Sequence, residues 1–180
     1  KLYFMIGLPT EDYEDIQGIA DLAHEAINLY RDVSRSKKGL TITVSASSFV
    51  PEAFTPFQWE PQCEIDELKK RQLFLKDRLK SKSIRYNWHD PEISFLEAVF
   101  ARGDRKVGKV LLRAWELGCR FDGWSEVFNF PKWMEAFKLT GINPKFYANR
   151  RRNTNEVLPW DHIDAGISKE YLIKEYKKAL

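Results

Sequence analysis

The chain is poor in cysteine, with only Cys63 and Cys119 among 180 residues, far apart in sequence. That scarcity excludes a disulfide scaffold and suits a reducing compartment, so a cytoplasmic location is expected. No apolar run reaches membrane-spanning length and no signal peptide is visible, so no membrane partner is expected. Charge of one sign is also missing: the net charge of +3 is too small to imply a nucleic-acid partner by itself. Internal repeats and low-complexity segments are absent, and so is an initiating Met. The abrupt start at Lys1 leads us to expect a piece of a longer protein. What is plentiful is aromatic side chains, 14% of the chain with six Trp and twelve Phe, which points to a core or pocket rich in large rings.

The first residues are the most informative. The apolar run Leu2 to Ile6 stops at Gly7 and Pro9, and an amphipathic stretch follows within a few residues. This predicts a buried parallel strand, a tight turn and a helix. Turns at the carboxyl ends of such strands are where ligands bind in α/β proteins. Gly7 lets a ligand approach the backbone closely, and Pro9 stiffens the turn.

Ile16, Ile19, Ala20, Ala23, Ile27 and Tyr30 form one helical stripe, capped by Thr10 or Asp12. A polar link, Asp32 to Gly39, leads to a second strand. Its apolar positions Leu40, Ile42 and Val44 alternate with Thr41, Thr43 and Ser45. Strand, helix and strand make a right-handed βαβ unit. The stretch 46–62 reads as a long aromatic loop, ordered and functional by its composition. A charged helix is expected over Ile65–Lys80 and a third short strand over Ile84–Trp88.

From His89 the character changes to short helices. Their starts are marked by Asp90-Pro91, Asp104, Pro131, Asn143-Pro144 and Ser168, and two of them end at Gly103 and Gly118. The expected division is therefore a βαβ part over 1–88 and a helical extension over 89–180.

Several motifs resemble the radical SAM superfamily. Met5-Ile-Gly-Leu-Pro-Thr-Glu11 resembles the Gly-Leu-Pro turn on the fifth strand of its partial barrel, and Phe49-Val-Pro-Glu-Ala-Phe-Thr-Pro-Phe-Gln-Trp59 the sixth-strand segment. Trp88-His-Asp-Pro91, Leu96-Glu-Ala-Val-Phe-Ala-Arg-Gly-Asp-Arg105, Phe121-Asp-Gly-Trp124 and Leu158-Pro-Trp-Asp-His-Ile-Asp164 are similar to one bacterial subgroup. That subgroup carries a cobalamin-binding-like region before the radical SAM core. The resemblance covers essentially the whole chain.

What the resemblance implies is a C-terminal fragment of a partial (β/α)6 barrel followed by a mostly helical extension. The full-length parent would use a 4Fe–4S cluster and S-adenosylmethionine to generate a 5′-deoxyadenosyl radical, on a substrate that stays open, as does any part for cobalamin. The family's CxxxCxxC motif is absent, so the chain alone is expected to hold no cluster and no catalytic residue. Ile6, Gly7, Leu8 and Pro9 would contact the cofactor's adenine, with Glu11 in the same turn. Thr43 and Ser45, if inward-facing, would bond its ribose or carboxylate. One departure is Asp12, where many relatives have Thr. The helix cap survives that change, but a hydroxyl contact does not.

Other readings stand beside these. Ile6 to Pro9 can equally be a structural turn, and Thr43 and Ser45 ordinary β-formers. Phe54, Phe57, Trp59, Trp88, Trp115 and Trp124 are candidates for a substrate pocket, with His89 beside Trp88, but scattered rings are more often core. His89, Asp90, Asp161, His162 and Asp164 match no metal motif; Asp90 is better explained as a cap and Asp161 as a turn residue. Arg102, Arg105, Lys106, Lys109 and Arg113 form one basic cluster, with Arg102 to Arg105 expected as an interhelical turn holding a local ion pair. Lys145 and Arg150 to Arg152, beside Phe146 and Tyr147, form another that could grip RNA. A non-catalytic RNA- or protein-binding module is therefore the alternative function. A truncated barrel would leave the Leu2–Ile6 strand with a free apolar edge, so pairing with the upstream part of its own chain or self-association is expected.

Overall fold

A computed structural model describes residues 1–34 and 39–180, so the expected link after Asp32 lies partly outside the described residues. The chain is α/β, with three strands and seven helices among the described residues. It divides into two compact units, 1–49 with 63–91, and 50–62 with 92–180. The change of character after residue 88 lies close to the Pro91–Glu92 division. The aromatic segment 50–62, however, belongs with the helical residues.

In the first unit, β1 (Leu2–Ile6), β2 (Ile42–Ser48) and β3 (Ile84–Trp88) form a parallel sheet in the order β1-β2-β3. β2 runs three residues further than its alternating pattern suggested. Ala46, Ser47 and Ser48 carry on the ladder opposite Phe4, Met5 and Ile6, and the pairing outweighs their weak strand propensity. Helix α1 (Tyr13–Val33) joins β1 to β2, and α2 (Ile65–Arg78) precedes β3. Asp12 caps α1: its side chain accepts from the N–H groups of Glu14 and Asp15, and Asp15 reaches back to Asp12 N, a reciprocal capping box.

One face of the sheet is covered. Ile6, Ile42, Val44, Ala46 and Ile84 pack with the α1 stripe and with Leu75 and Leu79 in a single core. The period of two then puts Tyr3, Met5, Thr43, Ser45, Ser47, Arg85 and Asn87 on the opposite face.

The second unit is helical: α3 (Pro91–Ala101), α4 (Val107–Glu116), α5 (Phe130–Thr140), α6 (Pro144–Ala148) and α7 (Lys169–Ala179). Asn129, Asn143 and Ser168 cap the last three through their side chains. Asp104 does not start a helix directly. It accepts from Lys106 N in a turn, and α4 begins at Val107, with Lys106 rather than Asp104 at its N-cap position. The expected ion pair within Arg102 to Arg105 is replaced by Tyr147 Oη donating to Asp104 at 3.1 Å, while Arg102 is fully buried. Segment 50–62 is stitched to the end of α6 by Gln62 N on Ala148 O and Arg152 N on Trp59 O, both at 2.8 Å.

Candidate functional site

The carboxyl end of β1 is built around a closely packed glycine. Gly7 has φ of 82°, and a Cβ placed there would lie 2.8 Å from Leu68 Cδ2. Both the left-handed backbone and the contact with α2 therefore require glycine. Its N–H donates to Glu11 Oε2 at 2.7 Å, and the same oxygen meets Arg71 Nη1 at 2.5 Å. Glu67 adds a second carboxylate to Arg71 at 3.2 Å. Burial works against the charge on Arg71, but the hydrogen bonds it donates to Glu11 and Glu67 outweigh it and raise its pKa.

The turn residues thus have defined places. Ile6 is wholly buried in the core, Leu8 and Pro9 are half-buried, and the Glu11 carboxylate is engaged inside the turn. Thr43 and Ser45 are half-buried on the face opposite the core. Beside Ser45 lies a cleft of about 380 Å³, reached by Tyr3 from β1, Ser47 from β2, and Asn87, Trp88 and His89 at the end of β3. Register sets Tyr3, Ser45 and Asn87 side by side across the three strands. The cleft combines hydroxyl, amide and aromatic groups. The Trp88 ring follows Ile84 and Tyr86 to the α2 side of the sheet, 4.9 Å from the Tyr86 ring and with Lys76 Nζ 5.2 Å from its own. The His89 carbonyl accepts from Gln72 Nε2 at 2.8 Å, which anchors the strand end.

The aromatic candidates are not all gathered there. Trp59 is fully buried in the second unit, in a cluster with Leu158, Trp160 and Leu172, and its ring lies 5.5 Å from Tyr176. Phe57 is half-buried in that unit, while Trp115 and Trp124 are exposed. Packing is thus the role of Trp59, because its ring is the largest side chain with no exposure.

Cys63 and Cys119 are free and belong to different units. Burial pushes both thiols up, so neither is poised as a thiolate. No group of three or more His, Cys, Asp and Glu able to hold a metal occurs among the described residues. A 4Fe–4S cluster, which needs more thiolates than the chain owns, does not fit these residues. The basic run is not an open cationic stripe: Arg150 is held bidentately by Glu156 at 2.6 and 2.8 Å, Arg151 meets Glu60 at 2.8 Å, and Arg152 is buried. No helix among the described residues is long and apolar enough to cross a membrane.

Sequence comparison finds similarity to the uncharacterized protein MJ0966 of Methanocaldococcus jannaschii, 31% identical over 112 residues. The match takes in 62% of this chain but spans only 22% of that protein's length. No family model matches the chain. No solved structure matches it either.

Proposed function

We propose that this chain is the last part of a radical SAM partial barrel together with its helical extension, and that it forms one wall of a cofactor cleft in a longer enzyme. The structural observation behind the reading is the one-sided sheet. Strands in sequential order with both crossover helices on the same face are the repeating unit of a (β/α) barrel. Each half of a doubly wound sheet shares this arrangement, so what favours the barrel is the resemblance of Met5 to Glu11 to the family's Gly-Leu-Pro turn. Here the uncovered face carries Thr43, Ser45 and Ser47 toward what would be a barrel interior.

The residues of the cleft suit S-adenosylmethionine as a ligand. Ser45 and Asn87 offer hydrogen bonds to ribose hydroxyls or the amino-acid end, and Tyr3 and His89 offer rings for a purine. When bound, that cofactor supplies hydrogen-abstracting chemistry, with cluster ligands contributed by the rest of the parent. This chain's own part is to bind and orient. Gly7, Glu11 and Arg71 hold the β1 turn rigid, and Asn87 and His89 line the cleft at the end of β3. The free edge of β1 pairs with the preceding strand of the parent, or with a second copy when that strand is lacking. A cytoplasmic setting suits such oxygen-sensitive chemistry.

The test is the complete parent protein, reconstituted anaerobically with iron and sulfide and reduced with dithionite. Release of 5′-deoxyadenosine from S-adenosylmethionine is expected, and it should fall sharply when Ser45 and Asn87 are both changed to Ala. A parent with no CxxxCxxC upstream, or no 5′-deoxyadenosine after reconstitution, overturns the reading.

A further inference from the structure

The second unit contains a cavity of about 300 Å³ at the start of α7, remote in chemistry from the cleft just described. Its apolar walls are Phe54, Ile163, Ile167 and Leu172, and its polar groups are Gln58, Asp161 and Lys169. Ile163 and Ile167 are both about half exposed, at 52% and 46%, so their side chains are open to a ligand.

Gln58 is the group that gives the cavity a direction. It is 97% hidden, at 3% exposure, and its amide cannot be turned around. The oxygen accepts from Trp160 Nε1 at 2.7 Å and from Phe54 N at 3.2 Å, two donors that only an oxygen satisfies. Its nitrogen has no protein partner among the described residues. The Phe54 end of this arrangement is itself strained, with φ of 58° at a non-glycine residue. The loop therefore holds a costly backbone conformation that also keeps the Gln58 oxygen occupied.

Asp161 supplies the complementary group. Its Oδ2 accepts from Leu158 N at 2.9 Å and from Lys169 Nζ at 3.3 Å. Its Oδ1 has no protein partner among the described residues, and Lys169 neutralises the carboxylate's charge. Lys169 Nζ is in turn held by the Glu156 carbonyl at 3.1 Å.

We propose that this cavity binds a small neutral molecule with an amide or lactam edge on an apolar body. The ligand's carbonyl oxygen accepts from Gln58 Nε2, its N–H donates to Asp161 Oδ1, and its ring or branched chain covers Ile163 and Ile167. One donor and one acceptor set beside apolar side chains is the arrangement by which small-molecule sites fix orientation. A neutral amide is favoured over an acid because a ligand carboxylate has no N–H to donate to Asp161 Oδ1. This inference does not rest on the radical SAM reading, because none of its residues belongs to the first unit.

The test is titration of the intact chain with benzamide, and separately with benzoate, followed by the side-chain amide of Gln58 and the indole N–H of Trp160 in 1H–15N spectra. Saturable shifts of both signals with benzamide, and at least about tenfold weaker binding of benzoate, are expected. Gln58→Glu retains an acceptor for Phe54 N and Trp160 Nε1 but removes the donor, and should weaken benzamide by about tenfold or more. Ile167→Trp, at the exposed wall, fills the cavity without entering the core and should abolish the shifts. Absence of saturable shifts with benzamide, equal or tighter binding of benzoate, or unchanged binding to Ile167→Trp overturns the proposal. If Gln58→Glu fails to fold, the benzamide–benzoate ratio and Ile167→Trp decide the matter.

Discussion

Arg152 Nη2 donates to the backbone carbonyl of Arg102 at 2.6 Å, and both side chains are buried, although neither pairs with a carboxylate among the described residues. Arg102 in turn donates from Nη1 to Ala148 O at 2.6 Å and from Nη2 to Arg150 O at 2.9 Å. Two cations thus serve the carbonyls at the ends of α3 and α6, where the helix dipoles favour positive charge. Burial first, and then the neighbouring Arg152 and Arg150, pulls the pKa of Arg102 down to about 9, which still leaves it charged at neutral pH.

The second unit should therefore depend heavily on Arg102. Arg102→Ala leaves the Arg150 carbonyl without its donor and opens a cavity, at a cost of about 3 kcal/mol or more. Arg102→Lys replaces a two-pronged donor with a point charge and should fall between that variant and the wild type. Urea unfolding of the three proteins checks the order, and equal midpoints for Arg102→Ala and wild type would refute it.

At the β1 turn, Gly7→Ala meets two separate penalties. The left-handed φ costs about 1–2 kcal/mol for an L side chain. The approach to Leu68 Cδ2 adds an overpacking cost of about 1–3 kcal/mol. Leu68→Val in the same chain should recover the second part only. No recovery in the double variant would show that backbone strain alone is responsible.

Glu11→Ala strips Arg71 of its closer carboxylate and the Gly7 N–H of its acceptor. Breaking a buried pair costs about 3–5 kcal/mol, and the remaining Glu67 contact places this one at the lower end. Thermal denaturation of Glu11→Ala beside Glu67→Ala is the check, with the Glu11 variant expected to melt lower.

Tyr86→Phe is expected to go the other way. The Tyr86 hydroxyl is buried without a hydrogen-bond partner among the described residues, and burial pushes its pKa upward. Removing an unsatisfied buried hydroxyl should leave stability unchanged or raise it by about 1 kcal/mol. A fall of that size would mean that the hydroxyl has a role the packing does not reveal.

Glu156 adds an acid dependence. Its hydrogen bond with Arg150 holds the carboxyl below the ordinary range, against the opposing effect of burial. The unfolded chain therefore takes up the proton first as pH falls. Stability from this pair is present above the ordinary carboxyl range of about 4.3 and is lost as pH drops through the folded value. With both groups about a third exposed, solvent screening limits it to about 0.5–1 kcal/mol. Glu156→Gln should remove that part of the acid slope while leaving the slope above neutral pH unchanged.

Much of the first unit is legible in the chain itself. Leu2–Ile6 and Ile84–Trp88 are strands where their apolar runs place them, and Asp12, Asn143 and Ser168 cap helices as their positions suggest. These are local matters: alternation, a 3.6-residue stripe and a cap each involve residues within a turn or two of one another. The candidate sites were less legible. Glu11 finds Arg71 across 60 residues, and Gln58 finds Trp160 across 102, so neither partnership leaves a trace in spacing. Arg102 and Arg152 look in sequence like solvated charges, whereas three of their N–H-bearing atoms are buried without a partner.

The sequence by itself determined which strands and helices form and in what order, and which stripe of each is apolar, because those follow from backbone sterics and short-range hydrogen bonding. Only the tertiary structure decided which polar groups would be buried, which aromatic ring would become core, and that one face of the sheet would be uncovered. Burial depends on which distant surface arrives to exclude water, and the energy of a charge or an amide changes far more on that arrival than anything its neighbours in sequence can supply.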